Sequence, residues 1–299
     1  MIDLATLAAL ATTHADELAR SVEPFVMGGR SHDTDERPIV MGAINLSRDS
    51  TYRESVAVTT ASAIRKGRVM AAQGAHLIDV GAESSRATAD RVDASAQSAR
   101  LVPVVEALAA EGLCVSVEGY DTAVVRAGLT AGAAVVNLTG STDDDAIFAL
   151  AAEHGASVVL CHVLGTHARA LDGSDVDADP VPGMLDRFGP RIARARELGV
   201  PGIAIDPGLG FGFRLGDQRA RARYQAATLL QTFRLRSLGV PVCHAMPHAF
   251  DLFEDQFRTA EGFFTVLAHL GRTGIYRTHE VPHVVAVLDA LGELDALPL

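Results

Sequence analysis

The chain has 299 residues and a formal net charge of −11, from 26 basic and 37 acidic side chains. An acidic surface repels phosphate backbones, so the charge argues against a nucleic-acid partner. The three cysteines, Cys114, Cys161 and Cys243, are too few and too far apart for a disulfide framework. They indicate a reducing, cytoplasmic environment. No apolar run reaches the roughly 18 residues of a membrane-spanning helix, so we expect no membrane partner.

The N-terminal segment lies outside the repeating pattern that fills the rest of the chain. Residues 1–20 predict a short amphipathic helix, and Asp3 stands where a signal peptide would carry positive charge. We therefore predict an N-terminal helical extension over residues 1–37 and one further domain over residues 38–299.

From Pro38 onward, short apolar runs alternate with stretches of helical periodicity. The lengths and β-branched content of the runs are typical of buried strands. Eight alternations predict a parallel sheet closed into a (β/α)₈ TIM barrel, in the α/β class. The eight runs are PIVMGAI (38–44), HLIDVG (76–81), CVSVEG (114–119), AVVNLTG (134–140), SVVLCHV (157–163), GIAIDPG (202–208), VPVCHAM (240–246) and GIYRTHE (274–280).

The segments between the runs carry helical spacing. Ala63, Gly67 and Met70 recur on one face after the first run, and a second stripe follows the next run, at Leu101, Val104, Val105 and Leu108. Residues 165–182, rich in Asp, Pro and Gly, predict a long loop after the fifth strand.

Polar side chains are concentrated where the predicted strands end. In a parallel barrel the carboxyl ends of the strands form the rim on which ligand sites are built. A ring of such groups over an apolar floor suits a flat heterocycle with hydrogen-bonding edges. An alternative interpretation is that the polar side chains pair with one another and bind no ligand. The polar side chains at the predicted strand ends are Asn45, Asp79, Glu83, Glu118, Asn137, His162, Asp206, His244, Arg277 and His279.

Metal binding is not favoured by the His and Cys pattern. Cys161-His162 and Cys243-His244 are adjacent pairs, and neighbours on a strand face opposite sides, so each pair offers one inward ligand. We therefore predict no metal ligands among these residues.

Seven segments in order resemble the motif set of the dihydropteroate synthase family. The resemblance covers roughly residues 38–295 and implies a pterin-binding barrel that condenses a pterin pyrophosphate with para-aminobenzoate. The segments are MGAINLSRDS (41–50), IDVGAESSR (78–86), SVEGY (116–120), VNLTG (136–140), CHVLGT (161–166), DPGLGFG (206–212) and RTHEV (277–281).

The resemblance implies roles for individual residues. Asp206 matches the aspartate that anchors the pterin, and Asn137 matches a second pterin contact. Asn45, Arg277 and His279 match residues on the pyrophosphate side. The predicted catalytic residues are Asp206, Arg277 and His279. The predicted substrate-binding residues are Asn45, Ser85, Arg86, Glu118, Asn137, His162, Asp206, Phe211, His248, Arg277 and His279.

The sequence also departs from the family pattern. Val117-Glu118-Gly119 replaces Val-Asp-Thr, Phe213 replaces a lysine after Gly-Phe-Gly, and Pro247-His248-Ala249 replaces Ser-Arg-Lys. Because the positions for the second substrate change while Asp206 and Asn137 are kept, we expect a pterin- or folate-binding transferase whose ordinary synthase activity is weakened or redirected.

Several functions stay open at this point. Redirection would give folate-linked one-carbon transfer, as in methyltetrahydrofolate methyltransferases, or pterin transfer to another acceptor. The alternatives are a non-catalytic pterin-binding homologue and an ordinary dihydropteroate synthase. An unrelated barrel lyase or aldolase lacks support, because no strand ends in a lysine for a Schiff base. The expected ligand is a pterin or reduced folate, with Mg²⁺ accompanying a pyrophosphate substrate. The resemblance also implies a homodimer formed through the last helices.

Overall fold

The computed structural model describes residues 2–47, 57, 59–84, 91–140, 142–168, 170–171, 177, 179–210, 215 and 217–295. Its central feature is a ring of eight parallel strands, which fall on the eight predicted runs; only β3 extends one residue beyond its run. The strands are β3 (Ile39–Asn45), β4 (Leu77–Gly81), β5 (Val115–Gly119), β6 (Val135–Leu138), β7 (Ser157–Cys161), β10 (Ile203–Asp206), β11 (Cys243–Ala245) and β12 (Ile275–Thr278). Four shorter strands are β1 (Phe25–Met27), β2 (Arg30–His32), β8 (Gly165–His167) and β9 (Ala170–Leu171).

Strand order confirms the predicted TIM barrel. The eight-stranded sheet runs β10-β7-β6-β5-β4-β3-β12-β11. Its two edge strands meet through a parallel bridge between Ile205 and Val242, which brings the sheet round on itself. All carboxyl ends therefore face one side, as the sequence predicts.

Helices pack around the outside of this ring. Those of the barrel region are α3 (Thr60–Ala72), α4 (Ala94–Ala110), α5 (Thr122–Thr130), α6 (Asp144–Glu153), α7 (Val181–Glu197), α8 (Gln218–Leu230), α9 (Phe250–Phe253), α10 (Phe257–Leu270) and α11 (Val281–Asp295). Ala63, Gly67 and Met70 are buried on α3, and the predicted stripe is buried on α4, so both helical patterns are confirmed. None of the described helices is long and apolar enough to cross a membrane.

Local capping explains where several helices begin. The side chain of Thr59 accepts a hydrogen bond from Ser62 N at 3.1 Å, and that of Asp93 accepts one from Ala96 N at 2.8 Å. These oxygens satisfy backbone N–H groups that have no partner within the helix.

The N-terminal extension begins with the predicted helix and adds two strands. Helices α1 (Leu4–Thr13) and α2 (Ala15–Leu18) have no fully buried side chain, but Leu7, Leu10 and Ala11 are half-buried on one face of α1, and Leu7 packs against the barrel core. The antiparallel pair β1 and β2 makes a second contact with the barrel. Phe25 and Met27 join a core cluster formed by residues of the barrel strands, Ile39, Met41, Leu77, Val135, Val159, Ala204, Cys243 and Ile275.

The described part of the predicted loop over residues 165–182 contains regular structure. Strands β8 and β9 form a short antiparallel pair, and α7 already begins at Val181. Glycine at position 140 is needed for this arrangement, since a Cβ there would lie 2.7 Å from Tyr120 Cβ and 3.0 Å from His167 Cβ. Residues 169, 172–176 and 178 lie outside the described part of the chain.

We predict that Phe25→Ala lowers the free energy of unfolding by about 3–5 kcal/mol, because it opens a cavity in a fully buried cluster. The matched control is Leu4→Ala on α1, where the leucine is 85% exposed; this change should stay within about 0.5 kcal/mol of wild type. Urea unfolding followed by circular dichroism measures both. Equal effects of the two substitutions would mean that the β1–β2 pair does not contribute to the core.

Candidate active site

The centre of the polar rim is a largely buried guanidinium, which two carboxylates hold. Arg277, on β12, donates from Nε to Asp79 Oδ2 at 2.7 Å and from Nη2 to Glu118 Oε2 at 2.5 Å. Asp79 lies on β4 and Glu118 on β5, so three strands contribute. Charge-assisted hydrogen bonds of this kind are roughly twice as strong as neutral ones. The sequence predicts Arg277 as a stabiliser of a leaving anion, and the structure places it against these two carboxylates.

Asn137 connects this group to the next two strands. Its Nδ2 donates to Asp79 Oδ2 at 3.1 Å, and its Oδ1 accepts from Cys161 Sγ at 3.3 Å. Asp79 Oδ1 is buried and makes no hydrogen bond within the described residues. A buried carboxylate oxygen without a donor is costly, so this atom is suited to accept a ligand N–H.

Asp206 ends β10 and is 2% exposed. Its Oδ1 accepts from Gly208 N at 2.7 Å. Burial raises the pKa of Asp206 to about 6, against the lowering effects of that backbone bond and of Arg277. Burial also raises the pKa of Glu118 to about 7; Arg277 opposes the rise, while Asp79 and Asp206 add to it. Three carboxylates around one arginine thus favour retention of a proton near neutral pH.

Two histidines form another edge of the mouth, which we call the histidine edge (His248 and His279). Their ring centroids are 5.5 Å apart. His279 Nδ1 lies 3.2 Å from Ala43 O, and because a carbonyl can only accept, Nδ1 carries the hydrogen. Burial lowers the pKa of His279 to about 3.

His162 is a correction to the predicted set. Its ring packs 6.0 Å from that of Phe188 on α7, and its pKa falls to about 4 through burial and the nearby Arg187 and Arg191. Cys161 takes the inward position beside Asn137, and the adjacent residue faces the opposite side. The structure therefore does not bring His162 to the Arg277 group.

Of the other predicted substrate-binding residues, one lies at a strand end and three lie outside the described residues. Asn45 ends β3, half-buried, next to the end of β4. Ser85, Arg86 and Phe211 lie outside the described residues.

A cleft beside Glu118 adds residues that the predicted substrate-binding set omits. Its lining includes Glu83, Gln97, Tyr120, Thr139 and Ala168, of which only Glu83 was predicted to lie on the rim. Tyr120 donates to Glu83 Oε2 at 2.6 Å, and its ring stacks on that of His167 with centroids 4.2 Å apart. Asp79 was also predicted on the rim but left out of the substrate-binding set, although an acidic residue inside the apolar run HLIDVG is a signal of a functional role.

Comparison with known proteins agrees with this geometry. Residues 41–246 match the model of a family described as "Pterin binding enzyme". The chain belongs to the pterin-binding enzyme family. The resemblance inferred from the seven segments is thereby confirmed, and the enzyme is a transferase similar to dihydropteroate synthases.

Individual members of the family show how far the similarity extends. A dihydropteroate synthase of Synechocystis is 32% identical over 73% of this chain and 74% of its own length. A Haloferax volcanii protein named "Probable bifunctional folylpolyglutamate synthase/dihydropteroate synthase" is 32% identical over 86% of this chain, which spans 30% of that relative. The crystal structure of Burkholderia cenocepacia dihydropteroate synthase complexed with 7,8-dihydropteroate superimposes with a TM-score of 0.76 and 26% identity, covering 92% of this chain and 97% of that one.

The raised pKa values predict an unusual pH dependence of stability for this pterin-binding enzyme. A carboxyl group in the unfolded chain has a pKa of about 4. Between that pH and about 7, the folded protein holds protons that the unfolded chain has released, so these groups make stability fall as pH rises. The half-buried His279 has the opposite effect on stability, because its lowered pKa keeps it neutral in the folded protein at a pH where the unfolded chain binds a proton. The contribution of one carboxyl group is therefore measured as the difference between wild type and a variant that lacks it.

Glu118→Gln should therefore flatten the fall in stability between pH 5 and pH 8 by an amount on the order of 1–3 kcal/mol. The glutamine keeps an oxygen that can accept from Arg277, so the fold is retained. Urea unfolding of wild type and variant at four pH values measures the difference. Parallel profiles would show that Glu118 does not hold a proton in the folded state.

Proposed function

We propose that this protein is an ordinary dihydropteroate synthase that joins a pterin pyrophosphate to para-aminobenzoate. The observation that carries the proposal is the polar floor at the strand ends, where Asp79 contacts both Arg277 and Asn137, and where the buried Asp206 ends β10. A pterin presents N3–H and a 2-amino group on one edge. Two parallel hydrogen bonds from these donors to Asp206 would hold the ring in one orientation.

The comparisons support the ordinary reaction over a weakened or redirected one. The relatives reported above carry the name dihydropteroate synthase, and 7,8-dihydropteroate is the ligand of the Burkholderia cenocepacia enzyme. The contacts of Glu118 also support the ordinary synthase reaction. Although one methylene longer than the family's aspartate, this glutamate reaches Arg277 Nη2 at 2.5 Å, so the departure keeps a carboxylate on the arginine.

The proposed reaction has a simple balance of bonds. The amine nitrogen of para-aminobenzoate attacks the methylene carbon of the pterin, forming the new C–N bond. The C–O bond to pyrophosphate breaks, its electron pair leaves on the oxygen, and the nitrogen releases one proton. Mg²⁺ would enter with the pyrophosphate as part of the substrate, since this ion is usually bound through phosphate oxygens and few carboxylates.

The decisive experiment combines calorimetry with a product assay. Hydroxymethyl-dihydropterin, a reduced folate and para-aminobenzoate are titrated separately, and the pterin pyrophosphate is then incubated with para-aminobenzoate and Mg²⁺. The proposal expects pterin binding and formation of dihydropteroate. Tight reduced-folate binding without that product would favour one-carbon transfer, and pterin binding without any turnover would favour a non-catalytic homologue.

Asp206→Asn should weaken pterin binding by roughly 10²-fold or more, because a charge-assisted fork loses its anion and presents an N–H to a ligand N–H. The control is Asp145→Asn, whose carboxylate makes an exposed pair with Arg194; it should bind pterin as wild type does. Isothermal titration calorimetry gives both dissociation constants. If Asp206→Asn bound pterin as tightly as wild type, Asp206 would not be the residue that anchors the pterin.

We also propose that two copies pair through the last helices, as the family resemblance implies. On α10, Phe263, Val266 and Leu270 expose apolar side chains, and Leu294 does so on α11. Leu270→Glu should convert a dimer to monomers in light scattering coupled to gel filtration. Val69→Glu on α3, at a comparably exposed apolar residue, serves as the matched control and should leave the mass unchanged. A wild-type monomer would end this proposal.

A further inference from the structure

Cys161 lies between the two residues that are proposed to hold the pterin. It ends β7, and the strands on either side carry Asn137 on β6 and Asp206 at the end of β10. Asp206 is its Cα partner across the parallel pair, and all three side chains are buried. A group at position 161 can therefore act on either of the proposed pterin contacts.

Within the described residues the Cys161 thiol makes one hydrogen bond, which goes to the Asn137 amide. Cys161 Sγ donates to Asn137 Oδ1 at 3.3 Å, and at the other end of the amide Nδ2 donates to Asp79 Oδ2 at 3.1 Å. The last torsion of an asparagine side chain has broad energy minima, so a single contact defines the amide plane poorly. Contacts at both ends fix that plane. One N–H and one oxygen lone pair of the amide then remain for a ligand.

The thiol keeps its hydrogen in the folded protein. Burial raises the pKa of Cys161 well above its ordinary value, the nearby carboxylates of Asp206 and Glu118 raise the pKa further, and Arg277 opposes the rise. A thiolate would have no hydrogen to donate to the amide. The raised pKa therefore maintains the bond to Asn137 across the neutral pH range.

The direction of the thiol hydrogen also matters for Asp206. Within the described residues the carboxylate of Asp206 has one hydrogen bond, from Gly208 N to Oδ1 at 2.7 Å. Because the Cys161 hydrogen goes to the amide, Oδ2 of Asp206 keeps its capacity to accept a ligand N–H. The single thiol thus holds one proposed pterin contact in place and does not occupy the other.

A second buried cysteine, on the other side of Asp206, allows a matched comparison. Cys243 lies on β11, which meets β10 through the bridge between Ile205 and Val242. It is 1% exposed and packs in the apolar cluster at the base of the barrel. Its thiol makes no hydrogen bond within the described part of the chain. The thiols of Cys161 and Cys243 therefore share burial and differ in the hydrogen bond.

We propose that Cys161 is a positioning residue, whose thiol fixes the amide plane of Asn137 for the pterin. The proposal rests on the pterin-binding role of Asn137 and Asp206 in the function proposed above, and it names the group that orients the first of them. Cys161 acts through Asn137, so its effect depends on the presence of that amide.

The first test compares Cys161→Ala with Cys243→Ala, because each substitution removes one buried sulfur and only the first removes a hydrogen bond. Cys161→Ala should weaken the binding of hydroxymethyl-dihydropterin by roughly 3–10-fold, the effect of one neutral hydrogen bond. Cys161→Ser keeps a donor and should bind more tightly than Cys161→Ala. Cys243→Ala should bind as wild type does. Calorimetry measures the dissociation constants, and equal weakening by the two alanine substitutions would overturn the proposal.

A double-mutant cycle with Asn137→Ala tests whether the thiol acts through the amide. In the Asn137→Ala protein, Cys161→Ala should cause no further weakening of pterin binding. Urea unfolding of each variant confirms that it is folded under the conditions of the titration. If the two losses of binding free energy added, Cys161 would act through packing and not through Asn137, and the positioning role would be wrong.

Infrared spectroscopy tests the contact without ligand or turnover. The S–H stretching band lies in a clear region of a protein spectrum, and hydrogen bonding moves it to lower wavenumber. The band that Cys161→Ala removes should lie at lower wavenumber than the band that Cys243→Ala removes, and it should move up in Asn137→Ala. Equal positions of the two bands overturn the proposal even if wild type makes dihydropteroate. A shifted Cys161 band in a wild type that binds no pterin supports the thiol–amide contact and overturns the proposed function.

Discussion

The largely buried guanidinium of Arg277 depends on partners that the curved sheet brings together from distant parts of the chain. Asp79 and Glu118 lie 198 and 159 residues away along the chain, on two other strands. Removing a charge from water costs several kcal/mol unless an opposite charge and hydrogen bonds compensate for it. The group is therefore tolerable only when β12, β4 and β5 are in register. Removal of one partner would leave charge uncompensated inside the mouth, so the fold and the polarity of the site are coupled.

The two ends of the barrel differ in composition: the amino ends of the strands pack an apolar cluster, and the carboxyl ends carry the polar site. At the amino ends, Phe25 and Met27 close an apolar cluster whose members come from the barrel strands. At the carboxyl ends, the side chains become acidic or amide-bearing, and burial raises the pKa of Glu118 and Asp206. An apolar base gives rigidity through close packing, and this rigidity holds the polar groups at fixed separations. The β1–β2 pair belongs to this apolar cluster and contributes no side chain to the site.

Sequence patterns predicted most of this arrangement for a physical reason. Buried parallel strands are apolar throughout, so runs such as HLIDVG are easily recognised as strands. A polar residue near the end of such a run is best explained by a position on the rim at the carboxyl ends of the strands. The β1–β2 pair was missed because three-residue strands carry no periodicity. Glu261 on α10 is fully buried and accepts hydrogen bonds from Thr278 Oγ1 and Glu280 N; these contacts were missed because helical spacing does not reveal the partners of a buried carboxylate. The direction of His162 could have been inferred from its neighbour Cys161, since adjacent residues face opposite sides.

The charge pattern of the mouth offers a way to understand how this chain tolerates its departures from the family motifs. Glu118 differs from the family residue in length but keeps its sign, and it still contacts Arg277. Pro247-His248-Ala249 loses a lysine, and His248 instead lies beside His279, with its Nε2 3.1 Å from Oε1 of Glu261 on α10. Under the proposed function, the change at Glu118 preserves an acidic floor for the N–H donors of a pterin. At that position the sign and reach of the side chain therefore constrain the site more strongly than its identity.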